Sequence, residues 1–176
     1  MSAVARRYTK ALFELAQEGG DFEALGRELS EVAEAFSTEP LARFAGDTTL
    51  DHTTRRTVAE RVSESLGLSA LLGKFMRVLA ENNRLRELAP IQAEYQRLED
   101  RALGQVRARL QSAEPLSEGS RRQLLEIFER RIGKRIVAET GTDPALLGGV
   151  LVELQGRVFD GTLRTRLERL RTSLAG

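Results

Sequence analysis

The chain has 176 residues, 41% of them apolar, with 27 basic against 26 acidic side chains, one histidine and neither cysteine nor tryptophan. That length suits one domain or two small ones, and the apolar share is enough for a core, which excludes wholesale disorder. With no cysteine and a single His52, the chain has no disulfide frame, no thiolate nucleophile, no cysteine zinc site and no means for an imidazole cluster or a Ser/His/Asp triad.

The first element places Val4, Tyr8, Leu12 and Leu15 on one face with Ala11 beside them, which is helical spacing. Gly19-Gly20 ends it, and Asp21 is expected to cap a second helix carrying Phe22, Leu25, Leu29, Val32 and Phe36. Glu28, Glu31 and Glu34 read as the solvated face of that helix. Pro40 is placed to open a short helix with Leu41 and Phe44. A polar connection then leads to a helix with Val58, Val62 and Leu66, stopped by Gly67. Leu68 to Leu85 is the most apolar stretch, richer than one core stripe requires. It therefore needs neighbours on several sides or offers a second face to a partner. Asn82-Asn83 marks its end, and a sixth helix follows with Pro90 near its start, then Ile91, Tyr95 and Leu98. Residues 1–104 thus read as an all-helical bundle of six helices, two of them short.

Beyond Gly104 the period changes. In residues 105–112, Val106, Ala108 and Leu110 alternate with Arg107 and Arg109, the pattern of a half-exposed strand. Ser117 is set to cap a helix bearing Leu124, Leu125, Phe128 and Ile132, with Gly133 closing it. Two further strands follow Gly133 and Gly149, and Gln155-Gly156 turns the chain back into a last one. Asp160 is expected to cap a final helix with Leu163, Leu167, Leu170 and Leu174. The order implies a small α+β domain over 105–176. Charge divides at the same place. Residues 1–104 hold 14 basic and 17 acidic side chains, net −3, and residues 105–176 hold 13 and 9, net +4.

Candidate chemistry is sparse. There is no phosphate-loop, dinucleotide or nucleophile-elbow motif, and the glycines at 141, 148, 149, 156 and 161 read as turns. His52 has no neighbouring ligands, so neither a metal site nor a cofactor site is expected. The arginines at 121–122, 130–131, 164, 166, 169 and 171 are interleaved with Glu126, Glu129 and Glu168 and lack aromatic platforms. Nucleic-acid binding is therefore not expected, and reception of an acidic helix or proximity to anionic lipid fits such a surface as well. An adaptor that binds nucleic acid or a membrane surface through the basic half stands as the alternative reading. No apolar run approaches the roughly 20 residues that span a bilayer. The amino terminus, with Glu14 and Glu18, resembles neither a signal peptide nor a transit peptide, so the protein reads as cytosolic or peripheral to a membrane. What remains is apolar surface on the first helix and on the Leu68–Leu85 stretch, able to form a groove for an amphipathic helix.

Three stretches together, ARRYTKALFELA at 5–16, FMRVLAENNRL at 75–85 and LGGVLVELQGRVFDGTLRTRLERL at 147–170, resemble the ATP synthase delta subunit family, which includes the mitochondrial oligomycin sensitivity-conferring protein. The resemblance spans essentially the whole chain. Arg7 stands where many members have proline, and Thr162 where serine is common. The resemblance implies a mainly α protein, a six-helix bundle followed by a small α+β domain, with no active site and no cofactor. It implies a stator subunit joining the alpha/beta catalytic head to the peripheral stalk, peripheral to the cytoplasmic face of the bacterial plasma membrane. It further implies that a groove between the first and fifth helices takes the amino-terminal helix of an alpha subunit, through Tyr8, Ala11, Leu12 and Leu15 opposite Phe75, Val78, Leu79 and Asn82. The domain over 105–176 would meet the carboxy-terminal end of the b subunit.

Overall fold

The computed structural model describes residues 3–165 and 167. The chain separates into two compact units, residues 1–99 and 100–176. The chain is mostly helical, with a small four-stranded sheet in the second unit.

The first unit is built from α1 (Ala3–Gly19), α2 (Phe22–Ala35), α3 (Leu41–Gly46), α4 (His52–Ser65), α5 (Ala70–Glu81) and most of α6 (Leu88–Ala102). Its core gathers Leu12, Phe13 and Ala16 of α1, Leu25, Leu29 and Val32 of α2, Leu72, Met76 and Leu79 of α5, and Leu88, Ile91 and Tyr95 of α6. These are the i, i+3, i+4, i+7 positions of each helix, so each amphipathic stripe finds its complement in the others. Phe13 sits edge-on to Tyr95 at 5.3 Å, and the Tyr95 hydroxyl donates to the Phe22 carbonyl at 2.9 Å. That bond satisfies the polar tip of an otherwise buried ring.

Several helix ends depart from the sequence expectations. Asp21 occupies the cap position of α2, but with φ −115° and ψ 29° its side chain accepts no capping bond. The apolar stretch expected from Leu68 to Leu85 is helical only from Ala70 to Glu81. Ser69 caps it by accepting from the Leu72 amide, and Asn83 at φ 55° turns the chain away. Leu85 then enters the core from a separate 3₁₀ turn, because periodicity alone cannot distinguish a continued helix from a second short one in register with it. Glu28 is not simply a solvated residue. Its carboxylate accepts the Ser69 amide at 2.9 Å and so ties α2 to the start of α5.

A buried charge also appears here. Arg55 of α4 is 2% exposed, and its guanidinium donates to the carbonyls of Asp47 and Leu50 and to the Asn83 side-chain oxygen. It thereby pins the loop ahead of α4 to the turn after α5, with its donors satisfied by oxygen acceptors.

In the second unit, β1 (Gln105–Ser112) leads through α7 (Glu118–Ile132) to β2 (Arg135–Thr142), then to β3 (Val150–Leu154) and β4 (Arg157–Asp160). The sheet order is β2-β1-β3-β4, with β1 and β2 parallel and the other pairs antiparallel. Register puts Val106 opposite Ile136, Ala108 opposite Leu154 and Leu110 opposite Val152. These residues form one buried face, packed by Leu124, Leu125, Phe128 and Ile132 of α7. The other face is charged, with Arg109 aligned between Glu139 and Glu153. Ser117 caps α7 through the Ser120 amide and Gly133 ends it at φ 70°, both as the sequence predicts.

Candidate partner-binding groove

Tyr8 of α1 packs edge-on against Phe75 of α5, with ring centroids 6.2 Å apart and planes at 73°. Further along, Leu15 of α1 and Leu71 of α5 line one cavity of about 290 Å³ with Ala16, Ala24 and Leu25. Because residue numbers rise along one helix as they fall along the other, α1 and α5 run antiparallel where they meet. On α5 the sequence spacing Leu71, Phe75, Val78, Asn82 puts one residue per turn on this flank, about a quarter-turn from the core stripe.

The eight residues expected to form the groove divide into three groups. Leu15 and Val78 are large apolar side chains left 53% and 41% exposed, and Ala11 and Asn82 are exposed beside them. Tyr8 and Phe75 are half-buried and pack against the core. Leu12 and Leu79 are at 1% and 0% exposure, so they belong to the core under the groove and not to its surface. A residue one position from the groove face turns through 100° and lands inside. Leu71 was missing from the expected set, although its four-residue spacing to Phe75 is the same signal that marks Val78 and Asn82. Ala24 and Leu25 carry no such signal, since only the packing of α2 brings them to the cavity.

The titratable groups with displaced values lie elsewhere. Hydrogen bonds from Thr49 and the charge of Arg55 hold the Asp47 carboxyl below its ordinary value. The Thr54 amide and hydroxyl do the same for Asp51, which caps α4. Arg56, bonded at 2.9 Å, and Arg77 hold Glu60 low. Burial, reinforced by Glu99, raises the Tyr95 phenol. Each of these effects belongs to a helix end, a surface ion pair or the core. His52 begins α4 and lies on the surface.

The carboxy-terminal motif forms a backbone clasp. The Gly161 amide donates to the Val150 carbonyl at 3.1 Å, and the Leu163 amide to the Gly148 carbonyl at 2.9 Å. A Cβ on Gly149 would lie 2.4 Å from the Gly161 oxygen, and one on Gly148 would lie 2.6 Å from the Leu163 side chain. The two glycines and the Asp160-Gly161-Thr162 turn are therefore complementary surfaces, which explains why both occur in one motif. The expected cap is shared. Asp160 accepts from the Thr162 amide and hydroxyl, while the Thr162 hydroxyl accepts from the Thr165 amide at 3.3 Å. Leu170 and Leu174 of the expected final stripe lie outside the described residues.

What the fold presents is thus a helical unit with an apolar flank on α1 and α5 and a small sheet closed by a hydrogen-bonded carboxy-terminal clasp. Among the described residues, no helix is long and apolar enough to cross a membrane. The family profile described as ATP synthase delta (OSCP) subunit matches residues 4–174. ATP synthase subunit delta 1 of Syntrophotalea carbinolica is 36% identical over 170 residues, covering 96% of this chain and 95% of the relative. The delta subunits of Anaeromyxobacter sp. and Symbiobacterium thermophilum are 34% and 36% identical, covering 99% and 98% of this chain and 98% and 92% of those proteins. A chain from the cryo-electron microscopy structure of the Toxoplasma gondii mitochondrial ATP synthase hexamer shares the fold, with TM-score 0.70 over 99% of both chains at 21% identity. The chain belongs to the ATP synthase delta (OSCP) subunit family. It is a structural stator component of that complex and not an enzyme.

Proposed function

We propose that the first unit works as a six-helix bundle whose α1/α5 groove receives the amino-terminal helix of an alpha subunit. The second unit meets the carboxy-terminal end of the b subunit. The chain so joined holds the catalytic head against the rotor on the cytoplasmic face of a bacterial plasma membrane, peripheral to it through the complex. The observation that carries the groove assignment is the exposure of Leu15 and Val78 at either side of the half-buried Tyr8–Phe75 pair. An amphipathic helix laid between them covers this apolar surface while its polar face stays in water. Support for the second contact comes from the net charge of +4 over residues 105–176, with Ile127 and Val158 exposed at 57% and 61%. Two linked contacts serve a stator well, because the second forms at high effective concentration once the first is made.

The test is calorimetric binding of the alpha-subunit amino-terminal peptide to the intact chain. Leu15→Asp and Val78→Asp place a charge at the middle of an apolar contact, and each is expected to weaken binding by about 30-fold or more, the scale of an interface hot spot. Both positions are on the surface, so the thermal unfolding of the free chain should hardly move. Unchanged affinity in both variants would remove the groove from this role.

A further inference from the structure

We infer that the cleft between α7 and β4 anchors the last residue of a partner chain. It takes one apolar side chain, while Arg131 and Arg157 take the α-carboxylate beside it. This rests on the reading above that the second unit meets a carboxy-terminal end, and adds to it the place and the chemistry of that contact.

The cleft follows from the widths of the elements. Three strand spacings carry a four-stranded sheet across about 14 Å, whereas a helix with its side chains is about 10–12 Å wide. As the crossover between the parallel strands β1 and β2, α7 covers that side of the sheet, and β4 lies at the opposite edge. Register shows where the cover ends. Val152 of β3 is 3% exposed, while Phe159, opposite it on β4, is 37% exposed. Leu154 is buried, while Arg157, opposite it, is on the surface. Phe128 of α7 reaches toward the edge and meets Phe159 with ring centroids 5.2 Å apart and planes at 64°. Beside this pair a cavity of about 150 Å³ remains, lined by Phe128, Ile132, Leu154 and Phe159 together with Arg131 and Arg157. A cavity of roughly that volume admits a group the size of benzene, so it suits one apolar side chain and not a whole helix face.

The two arginines set the polar half of the site. Elsewhere in this unit Arg107, Arg109 and Arg121 pair with Asp100, Glu139 and Glu118. Arg131 and Arg157 make neither an ion pair nor a hydrogen bond among the described residues. Glu129, two positions before Arg131, is turned to β2, where it accepts the Ile136 amide at 2.7 Å. Two guanidinium groups thus border an apolar cavity with their donors unfilled by protein. A planar guanidinium fork holds a carboxylate through paired N–H···O bonds. The terminal residue of a chain presents its carboxylate and its side chain from one Cα. An internal Asp or Glu shares a helix face only with residues three or four positions away, at about 5–6 Å between Cβ atoms. A cleft this compact, with cation and apolar wall side by side, fits the terminal residue.

The test is calorimetric titration of the full chain with a peptide from the carboxy-terminal segment of the b subunit, prepared once as the free acid and once as the carboxy-terminal amide. Side-chain carboxylates are the same in both peptides, so the difference isolates the chain end. The free acid is expected to bind about tenfold more tightly, the scale of a charge-assisted hydrogen bond. The variant Arg131→Met/Arg157→Met keeps much of the apolar stems and removes the forks, and both positions are exposed, so the fold should be retained. In it the acid and the amide are expected to bind alike. With the chain isotope-labelled, the methyl resonances of Ile132 and Leu154 should shift on addition of the free acid. Equal binding of both peptides by the parent chain, an acid preference that survives in the arginine variant, or unmoved methyl resonances each overturn the anchor while leaving the second contact standing. Failure of the parent chain to bind either peptide overturns both.

Discussion

Replacing Gly149 by alanine tests whether the carboxy-terminal clasp is a true backbone-to-backbone fit. Gly149 lies at φ 79°, and a Cβ there would sit 2.4 Å from the Gly161 carbonyl oxygen and 3.0 Å from the Thr162 Cα. Relief requires the 160–162 turn to retreat by about an ångström, since non-bonded carbon contacts are comfortable near 3.5–4.0 Å. The retreat stretches the two bonds from Gly161 to Val150 and from Leu163 to Gly148. The left-handed backbone costs about 1–2 kcal/mol, each lost bond about 1, and the forced repacking about 1–3, giving a loss of roughly 4–7 kcal/mol. Gly156 provides the control. It has nearly the same φ, 76°, in the Gln155-Gly156 hairpin turn, but an added Cβ meets nothing within 4 Å. Gly156→Ala should cost only the backbone share, about 1–2 kcal/mol. Any gain from a stiffer unfolded chain is common to both variants and cancels. The loss predicted for Gly149→Ala approaches the whole stability of a small unit. The assay is urea unfolding of the full chain followed by amide resonances of β1 and β3. Both tyrosines, Tyr8 and Tyr95, lie in the first unit, so tyrosine fluorescence reports on that unit separately. Equal losses in the two variants, or a tyrosine transition that shifts as far as the β1 amides, would refute the clasp.

Three other outcomes follow from the same structure. Leu12→Ala should destabilise the first unit by about 2–5 kcal/mol, whereas Leu15→Ala should cost little stability and weaken peptide binding instead; thermal unfolding beside calorimetric titration separates the two. Arg55→Met should cost about 3 kcal/mol or more by leaving the Asp47 and Leu50 carbonyls and the Asn83 oxygen without their donor. Arg55→Lys should not restore it, since an ammonium cannot span three separated acceptors; chemical denaturation of both variants is the check. Asp47, Asp51 and Glu60 all have depressed folded-state values, so their contribution is present above their unfolded values, about 3.9 for Asp and 4.3 for Glu, and is lost as pH falls below them. The urea midpoint should therefore decline from pH 5 to pH 3, and the variant Asp47→Asn/Asp51→Asn/Glu60→Gln should show a shallower decline.

Much of the chain was determined by local pattern. The change of period after Gly104 marks β1 to the residue, because alternation over 105–112 has no helical counterpart. Ser117 and Gly133 delimit α7 because a capping hydroxyl and a left-handed glycine act on their own backbone neighbours. The resemblance rests on the same kind of legibility, since its motifs sit at helix and turn positions with strong local requirements. The groove was legible in part. The spacing of Phe75, Val78 and Asn82 identifies a flank of α5, but the same apolar character in Leu12 and Leu79 serves the core. Hydrophobicity alone does not say on which side of a helix solvent lies.

Tertiary structure decided the rest, and in each case the cause is a partner distant in sequence. Arg55 lies in a polar, threonine-rich segment that reads as surface, yet acceptors from two loops bury it. Glu28 belongs to a regular acidic stripe, and only the approach of α5 turns it into the residue that holds Ser69. Gly149 reads as one turn glycine among several until the Gly161 carbonyl stands against it.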